Sequence, residues 1–219
     1  MIRDWSSDVC SSDLIGVSLR EVNKNEDALG YFETAIKEEP TWGDPYGEKA
    51  ITLAYMGRWN DAGPLFKKSI DLKYDSPTVY WMYGKYLEEI LKKPSEAIPF
   101  YEMVIAKNPN SYKLYNNIGD IYFNEEKYDD AERAYKKVLE HDNNDFNALA
   151  FSGEINFIKQ NFEEALKYFL LSHKIKPDNL ELNYHMGICY GYLNQLDKAE
   201  SHFKHALSLN PNLADVSLE

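Results

Sequence analysis

The residues of this chain that could bind a metal form two pairs toward its end. His185 and Cys189 are four residues apart, and His202 and His205 are three apart, so each pair would lie on one face of a helix. A closed zinc site needs about four such ligands, and no other cluster of histidine and cysteine in the sequence completes either pair. We therefore interpret the four as ordinary core or surface residues and predict neither a metal nor a cofactor.

Pairs of adjacent acids could serve as general acids and bases. They occur in segments with the pattern of solvated helix faces, where paired acids are common. The clearest pairs are Glu88-Glu89, Asp129-Asp130 and Glu163-Glu164. The sequence contains no phosphate-binding loop, nucleophile elbow or HExxH motif. We therefore predict a protein that is not an enzyme.

One small residue recurs at a fixed period and indicates the elements that position everything else. The alanines of this column, spaced by 34, 35, 34, 34 and 34 residues, are Ala28, Ala62, Ala97, Ala131, Ala165 and Ala199. A period of this length is typical of stacked repeat proteins, in which each unit buries its apolar face against its neighbours. Proteins of this kind hold other proteins, which is the function we expect.

Two further columns keep the same period. Twelve residues before each alanine, or thirteen in the third unit, lies a small residue: Gly16, Ala50, Gly84, Gly119, Gly153 and Gly187. Four residues after each alanine lies an aromatic residue: Phe32, Phe66, Tyr101, Tyr135, Phe169 and Phe203. A glycine inside a helix costs about 1 kcal/mol relative to alanine, so its recurrence indicates a helix crossing whose space the aromatic ring fills. Each unit is predicted to be helix A, a short turn and helix B.

The columns resemble the tetratricopeptide repeat family, whose repeats carry small residues at the eighth, twentieth and twenty-seventh positions. The resemblance covers almost the whole chain and implies an all-α fold, a right-handed solenoid of stacked antiparallel helix pairs. The expected repeats are residues 9–42, 43–76, 77–111, 112–145, 146–179 and 180–213. Repeat three is one residue longer than the others, and we expect the extra residue in its turn, at Leu91–Ser95.

The two ends of the chain differ from the repeats. Residues 3–14 resemble a translated sequencing adapter, so residues 1–14 are interpreted as a non-native leader before a solenoid at 15–213. Residues 214–219 have the pattern of a truncated further helix. An unfinished solenoid end exposes apolar surface, so self-association through uncapped ends is a further expectation.

Charge limits the classes of partner. The formal net charge is −12 at pH 7, whereas recognition of nucleic acid needs clustered lysine and arginine. A nucleic-acid partner is therefore not expected, and a basic or neutral polypeptide is favoured over an acidic one. Solubility alone would also explain most of this charge. No apolar run reaches the roughly 20 residues that span a membrane, so no membrane span is expected.

The family resemblance places the binding surface on a concave groove formed by helix A residues that face away from helix B. In this register the partner-binding candidates are Trp81, Met82, Lys85, Asn116, Asn117, Asp120, Phe151, Glu154, Tyr184, His185 and Ile188. The aromatic candidates could anchor a partner, and the adjacent asparagines could hydrogen-bond an extended backbone. The alternative for each aromatic residue is packing between adjacent A helices.

Chaperone-binding members of the family use a clamp of lysine, asparagine and arginine for an acidic tail. Lys85 and Asn117 fit two of its positions, but Trp81, Asn147 and Phe151 stand where the clamp has lysine or arginine. Recognition of an acidic tail is therefore not expected. We predict a non-catalytic scaffold that binds a partner peptide or helix in its groove. The alternative is a substrate-docking fragment of a larger enzyme or secretion component.

Overall fold

A computed structural model of the chain describes residues 8–210, with side chains from residue 11 onward. These residues form α-helices joined by short turns, and no strand occurs among them. The chain divides into two compact units, residues 1–111 and residues 112–219. The all-α fold class is therefore confirmed.

Unit 1 consists of three helix pairs, each joined by a short turn. Its helices are α1 (Asp8–Glu21), α2 (Asn25–Glu38), α3 (Gly43–Tyr55), α4 (Trp59–Asp71), α5 (Pro77–Lys85) and α6 (Pro94–Lys107). A π-helical turn at Tyr86–Ile90 follows α5, and a 3₁₀ turn at Pro109–Ser111 ends the unit. The core lies between the helices of each pair and against the next pair, with Phe32 and Phe66 fully buried.

Unit 2 repeats this arrangement with three further pairs. Its helices are α7 (Leu114–Asn124), α8 (Tyr128–His141), α9 (Phe146–Ile158), α10 (Phe162–Ile175), α11 (Leu180–Tyr192) and α12 (Leu196–Leu209). Side chains cap two first helices: Asp145 Oδ1 accepts from the Ala148 N–H at 3.0 Å, and Asn179 Oδ1 accepts from the Leu182 N–H at 2.8 Å. Each cap satisfies a backbone donor that has no partner within its helix.

The glycine column is explained by close contact with the aromatic column. A Cβ atom built on Gly153 would lie 2.5 Å from the Phe169 ring. A Cβ atom built on each corresponding glycine would lie 2.5 or 2.6 Å from the ring of Phe32, Tyr101, Tyr135 or Phe203. Such a distance is well inside van der Waals contact. The prediction that packing demands the small residue at the helix crossing is confirmed.

Each turn between the paired helices contains one residue with left-handed backbone. These residues are Asn23, Gly57, Lys92, Glu126, Gln160 and Asn194, and they follow the same 34-residue period apart from one step of 35. The next N–H reaches back to the helix, as in the bond from Gln195 N–H to the Tyr190 carbonyl at 2.8 Å. A left-handed residue after the helix lets the last carbonyls find donors, so it ends the first helix of each pair.

The third pair carries its extra residue in its first helix. There α5 continues as the π turn at Tyr86–Ile90, and a π turn holds more residues than an α turn. Gly84 and the left-handed Lys92 are eight residues apart, whereas the corresponding positions in the other pairs are seven apart. The prediction of an extra residue at Leu91–Ser95 is therefore wrong, because the helix absorbs it before the turn begins.

Several expectations concern residues outside the described part of the chain. Half of the proposed leader, residues 1–7, lies outside the described part, and residues 8–14 form the start of α1. The further helix at 214–219, and self-association through it, lie wholly outside residues 8–210. Within that range, every helix is too short or too polar to cross a membrane.

Candidate functional site

The candidate residues of unit 1 lie on α5 and differ in exposure. Trp81 is 38% exposed, whereas Met82 is 3% exposed and packs in the core near Val79. The Lys85 ammonium lies 5.4 Å from the centre of the Trp81 ring and pairs with Glu89 at 3.2 Å. A partner can therefore reach Trp81 and Lys85. Met82, selected by the register, is a core residue because it faces the neighbouring helices.

The polar candidates on α7 of unit 2 are largely engaged within the unit. Asn116 Nδ2 donates to Asp145 Oδ1 at 3.2 Å, so this asparagine supports the cap of α9. Asp120 accepts a hydrogen bond from the Tyr135 hydroxyl at 2.7 Å. Asn117 is exposed. Of the asparagine pair, Asn117 is thus the one whose side chain faces solvent.

A hollow of about 310 Å³ lies in unit 2 where α9, α10 and α11 meet. It brings together three of the predicted residues, Phe151, Glu154 and His185, and does not include Tyr184 or Ile188. The other lining residues are Phe146, Asn147, Ala150, Phe169, Asn179, Glu181 and Leu182. The hollow is therefore formed mainly by the first helices of two successive pairs.

Aromatic packing holds one wall of this hollow. The Phe151 ring stacks on Tyr135 with centroids 5.4 Å apart and an interplanar angle of 5°, and it meets Phe123 edge-on at 5.1 Å. Phe151 is half-buried, so it combines packing between helices with exposure to the hollow. Tyr184 is 47% exposed, and its ring lies 5.9 Å from that of Phe203. Tyr184 is therefore the more accessible of these two aromatic residues.

Two ionisable groups of the hollow, Glu154 and His185, have shifted pKa values. Burial raises the pKa of Glu154, and the negative charge of Glu181 raises it further. Burial lowers the pKa of His185, against the opposing effect of Glu181. No ion pair involves Glu154 or Glu181 within residues 8–210. The hollow therefore holds two glutamates without an ion-pair partner within residues 8–210, beside a histidine whose burial disfavours its charged form.

A lysine of the chain itself contacts one aromatic residue of the hollow. The Lys176 ammonium, just after α10, lies 4.1 Å from the centre of the Phe146 ring. Phe146 and Glu181 were not among the candidates selected from the sequence. Both lie in the first turn of a first helix, one turn before the positions that the register favours. Inspection of that turn in each repeat would have found them.

The residues of the two histidine and cysteine pairs lie in different environments. Cys189 is buried, and burial raises the pKa of its thiol to about 12. His202 Nδ1 lies 3.0 Å from Asn183 Oδ1, whereas His205 Nε2 lies 3.1 Å from Asp178 Oδ1. Between residues 8 and 210, no group of three or more histidine, cysteine or acidic side chains could hold a metal ion.

Comparison of the sequence with known families and proteins supports the same class. Two sequence models, both of the tetratricopeptide repeat, match residues 112–145 and 181–213 and residues 78–111. The chain is 25% identical over 141 residues to the protein O-mannosyl-transferase Tmtc3 of Drosophila melanogaster, covering 64% of this chain and 15% of that protein. It is 28% identical over 174 residues to tetratricopeptide repeat protein 13 of Homo sapiens, covering 75% and 20%. The chain thus spans at most a fifth of the length of these two relatives.

Solved structures show the same fold. YrrB, described as a TPR protein with an unusual peptide-binding site, superposes with a TM-score of 0.69 at 22% identity, covering 80% of this chain and 90% of that one. A structure of MamA superposes with a TM-score of 0.65 at 23% identity, covering 76% and 90%. At these identities the similarity establishes the fold.

Paired helices with a recurrent glycine–aromatic contact define an α-helical repeat protein. Residues 78–145 and 181–213 of the chain match models of the tetratricopeptide repeat, and solved tetratricopeptide repeat structures share its fold. Proteins of this family bind protein partners, and the fold is typically a non-catalytic scaffold. The general function of the chain is therefore protein–protein interaction.

Proposed function

We propose that the first helices of unit 2 bind an extended or helical segment of a partner protein, with the hollow between α9 and α11 as the main contact. The partner segment is basic or neutral, since the chain carries a net charge of −12. Binding presents the partner, and the scaffold performs no covalent chemistry.

The observation that carries this proposal is the hollow itself. Its volume of about 310 Å³ and its lining by Phe146, Phe151 and Phe169 combine apolar walls with a few polar groups, which is the usual composition of a binding site. Phe151, Glu154 and His185 come from positions that the repeat register independently selects. A side chain of the partner, rather than a large ligand, matches the size.

Exposed aromatic residues supply further anchors. Tyr184 on α11 and Trp81 on α5 of unit 1 are 47% and 38% exposed. Tyrosine and tryptophan dominate the binding energy of many protein interfaces, because they bury a large area with few rotatable bonds. Each can therefore contribute affinity at the first-helix surface of its own unit.

The test is a broad peptide array probed with the full chain and with two variants. Tyr184→Ala and Trp81→Ala together remove the exposed anchors, and we expect specific spots to weaken at least roughly tenfold. Tyr31→Ala is the matched control, since Tyr31 on α2, a second helix, is 41% exposed. Circular dichroism and melting confirm that the variants fold. An array pattern that is the same for all proteins, or no bound spot at all, would contradict the proposal.

A second candidate function is substrate docking within a larger enzyme. It is supported by the similarity to protein O-mannosyl-transferase Tmtc3, of which the chain matches 15%. In that case the peptide ligand would be an acceptor segment of the substrate. The intact reading frame distinguishes the two functions. A catalytic domain encoded in it would support substrate docking, and a reading frame without such a domain would support free-standing presentation.

A further inference from the structure

We propose that the hollow between α9 and α11 is a subsite for one basic side chain of the partner. An arginine or lysine enters with its cationic head beside Glu154 and Glu181 and its apolar stem against Phe151 and Phe169. This inference rests on the proposed function, because it names the chemistry that the same surface recognises.

The first argument is the pair of carboxylates. Glu154 on α9 is half-buried, Glu181 lies in the first turn of α11, and both line the hollow. Neither forms an ion pair within residues 8–210. The negative charge of Glu181 raises the pKa of Glu154, so the two carboxylates that line the hollow repel each other. A cation placed beside them relieves this repulsion, whereas an acidic guest increases it.

The second argument is the aromatic lining. Cations bind over aromatic faces because the ring quadrupole is negative there. The chain shows this at one ring that lines the hollow: the ammonium of Lys176, which does not itself line the hollow, lies 4.1 Å from the centre of the Phe146 ring. Lys176 forms no ion pair with either glutamate. The Phe146 ring therefore accepts a cation, and the two carboxylates remain for another.

The third argument is the absence of a competing charge from the other facing groups. Burial lowers the pKa of His185 on α11, so its ring is neutral near pH 7. Burial raises the pKa of the Tyr135 hydroxyl on α8, and the negative charge of Glu154 also raises it. That hydroxyl is protonated and donates to Asp120. The residues that line the hollow include no lysine or arginine, and Lys176, which follows α10, lies over Phe146.

Size also favours a single side chain. A volume of about 310 Å³ is at the lower limit of small-molecule sites. The stem of an arginine or lysine packs on apolar surface while its head remains at polar groups, which matches a hollow with aromatic walls and two carboxylates. A guanidinium group can also stack on a phenyl ring.

The experiment measures affinities of peptides that the array identifies, by fluorescence anisotropy with the full chain. For each bound peptide, two versions are made at every arginine or lysine in turn. In one the residue is replaced by the other basic residue, and in the second it is replaced by glutamine. We expect loss of the critical basic residue to weaken binding roughly tenfold, and an exchange of arginine and lysine to change it less. The subsite is supported whether the critical residue is an arginine or a lysine. Equal affinity of basic and neutral versions overturns it.

The protein side of the experiment uses Glu154→Gln with Glu181→Gln. This double variant should bind the basic peptide roughly tenfold more weakly and its glutamine version unchanged. The control is Glu163→Gln with Glu140→Gln, which changes the net charge equally at residues that do not line the hollow. An equal loss in the control means a general charge effect and overturns the subsite. If the double variant does not fold, the peptide series on the unchanged protein still decides.

The two proposals fail in different ways. Binding that is lost in Tyr184→Ala with Trp81→Ala, but is indifferent to the peptide's charge and to both glutamates, supports peptide binding by the first helices and overturns the basic-side-chain subsite. No peptide binding to the first-helix surface at all overturns both.

Discussion

Glu48 in unit 1 and Glu154 in unit 2 are glutamates on first helices with opposite surroundings. Glu48 is 9% exposed, receives a hydrogen bond from the Tyr74 hydroxyl at 2.7 Å and pairs with Arg20 at 2.6 Å. Glu154 is half-buried and forms no ion pair within residues 8–210. The contrast shows that burial of a carboxylate alone does not mark a binding site. A carboxylate without an ion-pair partner, such as Glu154, is one that a ligand can pair with, whereas the paired carboxylate of Glu48 stabilises the fold.

The largest expected effect comes from removing the satisfied glutamate. Glu48→Ala leaves Arg20 and the Tyr74 hydroxyl without their partner, and we expect the free energy of unfolding to fall by about 3 kcal/mol. Urea denaturation followed by circular dichroism measures it. Glu33→Ala is the control, because Glu33 forms an exposed ion pair with Lys49 and should cost at most about 1 kcal/mol. Equal losses in the two variants would show that Glu48 is not structural.

The opposite effect is expected at the unsatisfied glutamate. In the folded chain the pKa of Glu154 is raised above its ordinary value of 4.5, so folding becomes less favourable as pH rises through that window. Glu154→Gln removes this penalty and should stabilise the fold at pH 7, by less than about 1 kcal/mol because solvent screens the half-exposed group. Below pH 4.5 the carboxyl becomes mostly protonated in both states, and the difference between the variant and the parent should shrink.

Melting temperatures at pH 7 and pH 4 test whether Glu154→Gln stabilises the fold at the higher pH. Glu163→Gln serves as the control, since Glu163 is exposed on α10, and it should change little at either pH. A Glu154→Gln protein that melts lower than the parent at pH 7 would mean that Glu154 is satisfied, as Glu48 is, and the comparison between the two units would fail.

The smallest effect is expected at Lys176. Lys176→Gln removes the cation over Phe146 and should lower the free energy of unfolding by about 0.5 kcal/mol. It should also raise the affinity for a basic peptide about twofold, because the freed ring can face the guest. Lys198→Gln is the matched control, as Lys198 lies 5.2 Å from the centre of the Tyr190 ring outside the hollow. Anisotropy should show no gain for the control, and a gain common to both would refute the role of Phe146.

The candidate site was only partly predictable from the sequence. The register selected Phe151, Glu154 and His185, and the structure brings these three together. It also selected Met82, which is buried. First helices contact neighbours on several sides, so one residue of a turn can face the core while the next faces solvent. The repeat period alone does not distinguish a core-facing residue from a solvent-facing one, because the direction of each side chain depends on the packing of the adjacent helix pair.

The sequence by itself determined the repeat, the helix pairs and the helix crossings. A glycine such as Gly153 recurs where an aromatic ring leaves no room for a Cβ atom, and this local requirement is visible in each unit's own residues. The tertiary structure decided which carboxylates are satisfied and where the extra residue of the third pair lies. Arg20 meets Glu48 from 28 residues away, and Tyr86–Ile90 winds into a π turn. The ion pair joins two repeats, and the position of the extra residue depends on how the helix winds rather than on the length of the repeat.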